Sequence, residues 1–277
     1  MPKVVDVLSR PSAIHNEDCW GRSDDAVWVM DGATGVWPVQ RLSPTSDAAW
    51  FVTEMDAVLQ SLTSSALDAS ELLAAAARSV AAKAGAICDL RGCAPAELPS
   101  ASFATARRRG GRIEFANLGD CAVLWRTAGG KAQRFGSSGV ARLDAALSQA
   151  FVDGVATGRA VAEVQADLMV MVRHHRTLMN TPEGYWILDM SGAGAPHTQI
   201  MTTDGPVEVL LMSDGFYRLV DVFARYDDDR LMDAARGRGV AALYAELRAL
   251  EAADPDGVGF PRGKPRDDAT AVLLDFA

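Results

Sequence analysis

An α+β fold with antiparallel sheets is what this 277-residue sequence predicts, on three observations. Short apolar runs come in groups broken by Gly-Gly and Gly-Asp pairs, as in a β-meander. Helical periodicities come in pairs instead of alternating one for one with strands, as a doubly wound parallel sheet would require. No internal repeat and no long polar linker divides the chain, so residues 1–277 are expected to form a single domain.

The elements follow in order. "NEDCW" at 16–20 leads into "VWVMDGATG" at 27–35, an apolar strand that ends on Asp31 and Gly32. From Ser46 the apolar positions Phe51, Met55, Val58, Leu59 and Leu62 recur at helical spacing, with Ser46 or Thr45 able to cap the start. A second helix is expected over about 70–90, with Leu73, Ala76, Val80 and Ile87 along one stripe of an alanine-rich segment. The stretch 101–135 reads as a meander, with breaks at Gly110-Gly111, Gly119-Asp120 and Gly129-Gly130. A helix over roughly 159–178 and a short strand around 185–188 precede "VEVLLMSDG", a second apolar strand running into Asp-Gly. Helices at about 229–235 and 240–252 offer Leu231, Leu243, Leu247 and Leu250 for burial. A polar loop rich in Pro and Gly, "DPDGVGFPRGKPRDD", leads into the last strand, "ATAVLLDF".

Composition narrows the function classes. Asp and Glu number 36 against 27 Lys and Arg, a net charge of −9, which argues against general affinity for nucleic acid or an anionic membrane. No run approaches the ~20 apolar residues of a membrane span, and "MPKVVDVLSR" lacks the apolar centre of a signal peptide, so a cytoplasmic protein is expected. Cys19, Cys88, Cys93 and Cys121 have no paired spacing and read as small thiols, not as a zinc or disulfide framework.

An Asp-Gly pair taken alone is a common turn signal. Here, however, Asp31 and Asp214 both end apolar strands, Asp267 and Asp268 precede the last strand, and Glu17 and Asp18 precede the strand leading to Asp31. Strand ends can converge on one rim, where several carboxylates would resist ionisation unless a cation neutralised them. Oxygen ligands without His or Cys point to magnesium or manganese, not zinc.

The ordered set "NEDCW" at 16–20, "VWVMDGATG" at 27–35, "SFATARRRGGRIEFANLGDCAVLWR" at 102–126, "VLLMSDGFYRLVD" at 209–221 and "RDDATAVLLDF" at 266–276 resembles the type 2C metal-dependent protein serine/threonine phosphatases from one end of the chain to the other. The resemblance implies a four-layer α/β/β/α sandwich, with two antiparallel sheets face to face and helical pairs outside. It implies two Mg²⁺ or Mn²⁺ ions at one end: Asp31 would bridge them, the Gly32 carbonyl would bind one, and Asp214 and Asp267 would bind the other. Glu17 and Asp18 match an acidic pair that acts through metal-bound water, and Asp120 matches a residue of a weak third metal site. Two cations roughly 3.5–4 Å apart activate water for in-line attack on phosphorus, so no protein nucleophile is needed. The implied partner is a phosphorylated protein substrate.

The departures are equally specific. Ala33 stands where many members carry a histidine general acid, and Thr34 replaces a glycine. Ala13 occupies the place of a phosphate-binding arginine, for which Arg10 is the nearby substitute. Arg218 stands at a usual aspartate, which bears on any third metal, and Asp268 at a usual asparagine, where it either tightens the site or caps the turn. These changes admit a second reading, a noncatalytic phosphoprotein-binding domain on the same fold. His15, His174, His175 and His197 read as structural or surface residues, "RRRGG" at 107–111 as a solvated hairpin tip, and the methionines of "LMVMVRHHRTLM" as core filler. The segment 137–184 matches the family least and reads as a substrate-facing flap or a helical cover.

Overall fold

A computed structural model describes residues 1–33, 36–37, 39–62 and 66–277. In chain order these contain β1 (Lys3–Arg10), β2 (Asp18–Arg22), β3 (Ala26–Ala33), α1 (Asp47–Leu62), α2 (Ala69–Ile87), β4 (Ser100–Arg109), β5 (Arg112–Leu118), β6 (Ala122–Thr127) and β7 (Gln133–Phe135). There follow α3 (Val140–Ala156), α4 (Val161–Thr177), β8 (Leu188–Asp189), β9 (Gln199–Thr203), β10 (Val207–Met212), α5 (Asp214–Asp221), α6 (Asp228–Arg238), α7 (Val240–Ala253) and β11 (Ala269–Phe276). One sheet has the order β1-β11-β10-β6-β7 and the other β2-β3-β4-β5-β9, with β8 beside β4; every strand pair is antiparallel.

The two sheets stack through Val27, Val29, Phe115, Val123, Val209, Leu211, Val272 and Leu274. The outer face of the β3 sheet packs Trp28, Met30 and Phe103 against Phe51 and Met55 of α1 and Leu73 and Val80 of α2. Leu210, Met212 and Leu273 on the other sheet meet Phe216 of α5, Leu231 of α6 and Leu243 and Leu247 of α7. A central strand covered on both faces has no polar side, which is why residues 26–30 form a continuous buried run instead of an alternating one. The four-layer sandwich expected from the resemblance is therefore the architecture found.

Both N-terminal helices start as their sequences dictate. Ser46 caps α1 by accepting the Ala49 N–H at 3.0 Å. Asp68 and Glu71 close a reciprocal capping box on α2, each accepting the other's backbone N–H at 2.9 Å.

Several expectations need correction. Residues 140–156 form a helix that the pattern did not reveal, because only Phe151 of α3 is buried and no apolar stripe develops. β9 is a half-exposed strand pairing only with β5, and α5 begins at the very Asp-Gly that read as a strand end. Ile87 is 50% exposed, so the α2 stripe ends before it. The arginines of 107–111 are not free at a hairpin tip: Arg107 is buried against Glu114 at 2.6 Å, and Arg109 also reaches Glu114. Of the methionines at 168–179, Met169 of α4 is 40% exposed, against the core role expected of it, whereas Met179 is buried. Thr34 lies outside the described residues.

Candidate metal and phosphate site

The rim where β3, β5 and β10 end and β11 begins gathers the predicted carboxylates. Asp18 and Asp31 are direct cross-strand partners on β2 and β3, and Asp31 faces Ser102 of β4 on its other side. Asp120 follows β5 and accepts a hydrogen bond from the Ser102 hydroxyl. Asp214 comes from the opposite sheet, where β10 turns into α5, and its carboxylate shares a hydrogen bond with that of Asp31. Ser213 ties the sheets together: its hydroxyl donates to Asp18 Oδ2 at 2.7 Å and accepts the Thr270 N–H at 3.0 Å.

Space, not turn geometry, accounts for the glycines of the two Asp-Gly pairs. A Cβ on Gly32 would sit 2.5 Å from the Glu17 carbonyl, whose oxygen accepts the Gly32 N–H at 3.0 Å. A Cβ on Gly215 would overlap the carbonyl of Asp268. Each glycine lets its strand end close against the segment that carries the neighbouring acid.

The electrostatics are those of crowded anions. Burial pushes Asp18 up from 3.8 to about 8, with repulsion from Asp214 and Asp268 adding and hydrogen bonds from Ser213 and Thr270 opposing. Burial, then the charges of Asp18 and Asp214, holds Asp31 well above the ordinary carboxylate range, and burial lifts Asp120 to about 6. Asp214 goes the other way: burial raises it, but the hydrogen bond from Asp31 and the positive charges of Arg218 and Lys264 prevail. Asp18 Oδ1 is fully buried and has no hydrogen-bond partner among the described residues.

Asp267 is differently placed. Its Oδ2 accepts from Arg218 Nη2 at 2.8 Å and its Oδ1 from Lys264 Nζ at 3.1 Å. Arg218 also reaches Glu251 at 3.4 Å. Among the described residues, no three His, Cys, Asp or Glu side chains stand in formed metal-cage geometry. The carboxylates of Asp31 and Asp214 face each other, and that of Asp267 faces its two cations.

The remaining predicted residues fall around this centre. Glu17 lies on the same rim, accepting from the Ser46 hydroxyl at 2.6 Å. Arg10 ends β1 opposite Ala269, two residues beyond Asp267 in sequence; it is exposed, and its guanidinium contacts the carbonyl of its neighbour Ser9 at 3.2 Å. Asp268 caps the adjoining turn, the second of the two roles open to it: its oxygens accept the N–H groups of Ser12 and Glu17, both at 2.6 Å. Sequence reasoning missed Ser213, Ser102 and Lys264. Ser213 was the most findable of these, since it precedes Asp214 in the motif itself.

Beside the carboxylates a cavity of about 810 Å³ opens between α3 and α5, lined in part by Asp120, Arg134, Asp144, Tyr217 and Phe260. The α3–α4 pair is anchored by the buried Arg176, which donates to the carbonyls of Ala33 at 3.1 Å and Leu98 at 2.9 Å and to the Ser100 hydroxyl at 2.9 Å.

No family model matches the sequence, and no curated protein matches it either. Solved structures do match along the full length. The Mycobacterium tuberculosis serine/threonine phosphatase PstP/Ppp superposes with a TM-score of 0.57 at 17% identity, over 99% of this chain and 98% of that one. Staphylococcus aureus serine/threonine phosphatase Stp1 gives 0.58 at 12% identity, over 99% and 96%. The catalytic domain of serine threonine protein phosphatase PstP in complex with two manganese ions gives 0.51 at 17%, over 99% and 97%. The chain has the fold of these phosphatases. Among the described residues no helix is long and apolar enough to cross a membrane.

Proposed function

We propose that the chain is a magnesium- or manganese-dependent phosphatase acting on phosphoserine or phosphothreonine in proteins. The observation that carries this reading is the convergence of Asp18, Asp31, Asp120 and Asp214 from separate strand ends, with Asp18 Oδ1 buried and unpartnered. A buried carboxylate oxygen without a donor is costly, and an all-oxygen donor set suits a hard divalent cation. The donor chemistry therefore fits the group, and the phosphatase structures of the same fold, one of them with two manganese ions, support the reading.

In this assignment Asp31, the Gly32 carbonyl, Asp214 and Asp267 would hold the ions, and Glu17 and Asp18 would hold water at the site. Bound there, such ions neutralise the acids, lower the pKa of water and offset charge on phosphoryl oxygens. The chain's own residues position the rest. Ser213 fixes the Asp18 carboxylate, Ser102 fixes that of Asp120, and Asp268 holds the segment from Ser12 to Glu17 against β11. Arg10, on the same rim, is assigned to the phosphate. The α3–α4 pair within 137–184 is assigned the role of a flap over the substrate cavity.

The test is hydrolysis of p-nitrophenyl phosphate and a phosphothreonine peptide by purified protein in manganese, magnesium or chelator, beside Asp31→Ala and Asp214→Ala. Turnover restored only by metal and reduced at least a hundredfold in both variants is the expected result. Equal turnover in chelator would refute it. Absence of turnover with phosphopeptide binding retained would transfer the fold to the noncatalytic reading.

A further inference from the structure

The acidic rim is electrostatically lopsided. On one side, Asp18, Asp31 and Asp120 meet hydroxyls and one another: Ser213 on Asp18, Ser102 on Asp120, and Asp214 on Asp31. On the other, both oxygens of Asp267 already carry positive partners, Arg218 at 2.8 Å and Lys264 at 3.1 Å.

The two cations differ in freedom. Arg218 is 8% exposed at its side chain and held by Glu251 as well as Asp267, so it is a fixed part of the interior. Lys264 has a 67% exposed side chain on a flexible stem, with its ammonium resting on Asp267 from the outside.

We propose that Lys264 is a tethered competitor for divalent metal: the first ion binds the cation-poor side at Asp31 and the Gly32 carbonyl, and a second reaches Asp214 and Asp267 only as the Lys264 ammonium swings into solvent. Metal loading is then stepwise, and the weaker step is set by a side chain instead of by ligand number alone. An ammonium held near 3 Å from a carboxylate must be exchanged for water before a cation can use the same oxygen, which weakens binding without altering any ligand. Arg218, being buried and paired twice, stays in place and supplies the permanent share of the neutralisation.

The inference rests on the metal-dependent reading above, but its test reads binding and not turnover, so an inactive protein that binds metal as described would leave it standing. Chelator-stripped full-length protein is titrated with Mn²⁺ by isothermal calorimetry and by native mass spectrometry, for the parent chain and for Lys264→Ala and Lys264→Gln. The parent is expected to show two steps at least tenfold apart in affinity. Both variants are expected to tighten the weaker step at least tenfold while leaving the tighter one within threefold. Because Lys264 is mostly exposed, unchanged circular dichroism and melting temperature are expected and serve as the check on folding. Unchanged affinities in both variants, an equal shift of both steps, a single class of sites in the parent, or no Mn²⁺ binding at all would each overturn the proposal.

Discussion

Replacing Asp18 with Asn should make the metal-free protein more stable, and the gain should depend on pH in a definite direction. Burial raises the Asp18 carboxyl from 3.8 to about 8 in the folded chain. A group raised by folding contributes stability that is fully present below its unfolded value and is lost as pH climbs through the folded one. In chelator, then, ionising Asp18 opposes folding progressively between about pH 4 and pH 8. One pH unit corresponds to 1.36 kcal/mol, so the ceiling at pH 7 is about 4 kcal/mol. Asp31 and Asp214 share the same protons, and relief of one acid by another's neutralisation brings the expected gain to about 2 kcal/mol. For a chain of this length that is a rise of about 4 °C in melting temperature. The Asn carbonyl can still accept from Ser213, and its amide presents donors where Oδ1 has no partner. The assay is thermal or urea unfolding in chelator from pH 4 to pH 8, for parent and variant. A gap near zero at pH 4 that widens to several degrees at pH 8 is expected, and saturating Mn²⁺ should stabilise the parent more than the variant. A gap independent of pH, or a variant less stable than the parent at pH 8 in chelator, would refute the reasoning.

Other outcomes follow from single contacts. Asp268→Ala removes the acceptor of the Ser12 and Glu17 N–H groups and should cost about 3 kcal/mol, read as a lower urea midpoint, with a change under about 0.5 kcal/mol counting against it. Arg176→Met should cost a similar amount, about 3 kcal/mol, and release the α3–α4 pair, seen as faster amide exchange across 137–184 with α1 and α2 unaffected. Exchange unchanged in that segment would show that Arg176 does not anchor it.

Which parts of this protein were legible in its sequence follows from the range of the forces involved. α1, α2, α7 and β11 were readable because each buries a local pattern: Phe51, Met55 and Leu59 at helical spacing, or a strand apolar on both faces. α3 and β9 were not, because α3 buries little beyond Phe151 and β9 alternates weakly at the side of its sheet, so neither leaves a periodic trace. The acids of the site were likewise legible, since carboxylates at strand ends are a local signal repeated in order along the chain. The sequence by itself thus determined the strand-end acids and the chemistry they suit.

Only the tertiary structure decided how those acids are balanced. Ser213 meets Asp18 across 195 residues, Arg218 meets Asp267 across 49, and Asp268 holds Glu17 across 251. A side chain's charge is written in the sequence, but the distance to its counter-charge is set by the closure of two sheets. That distance decides whether an aspartate on this rim awaits a cation or already has one.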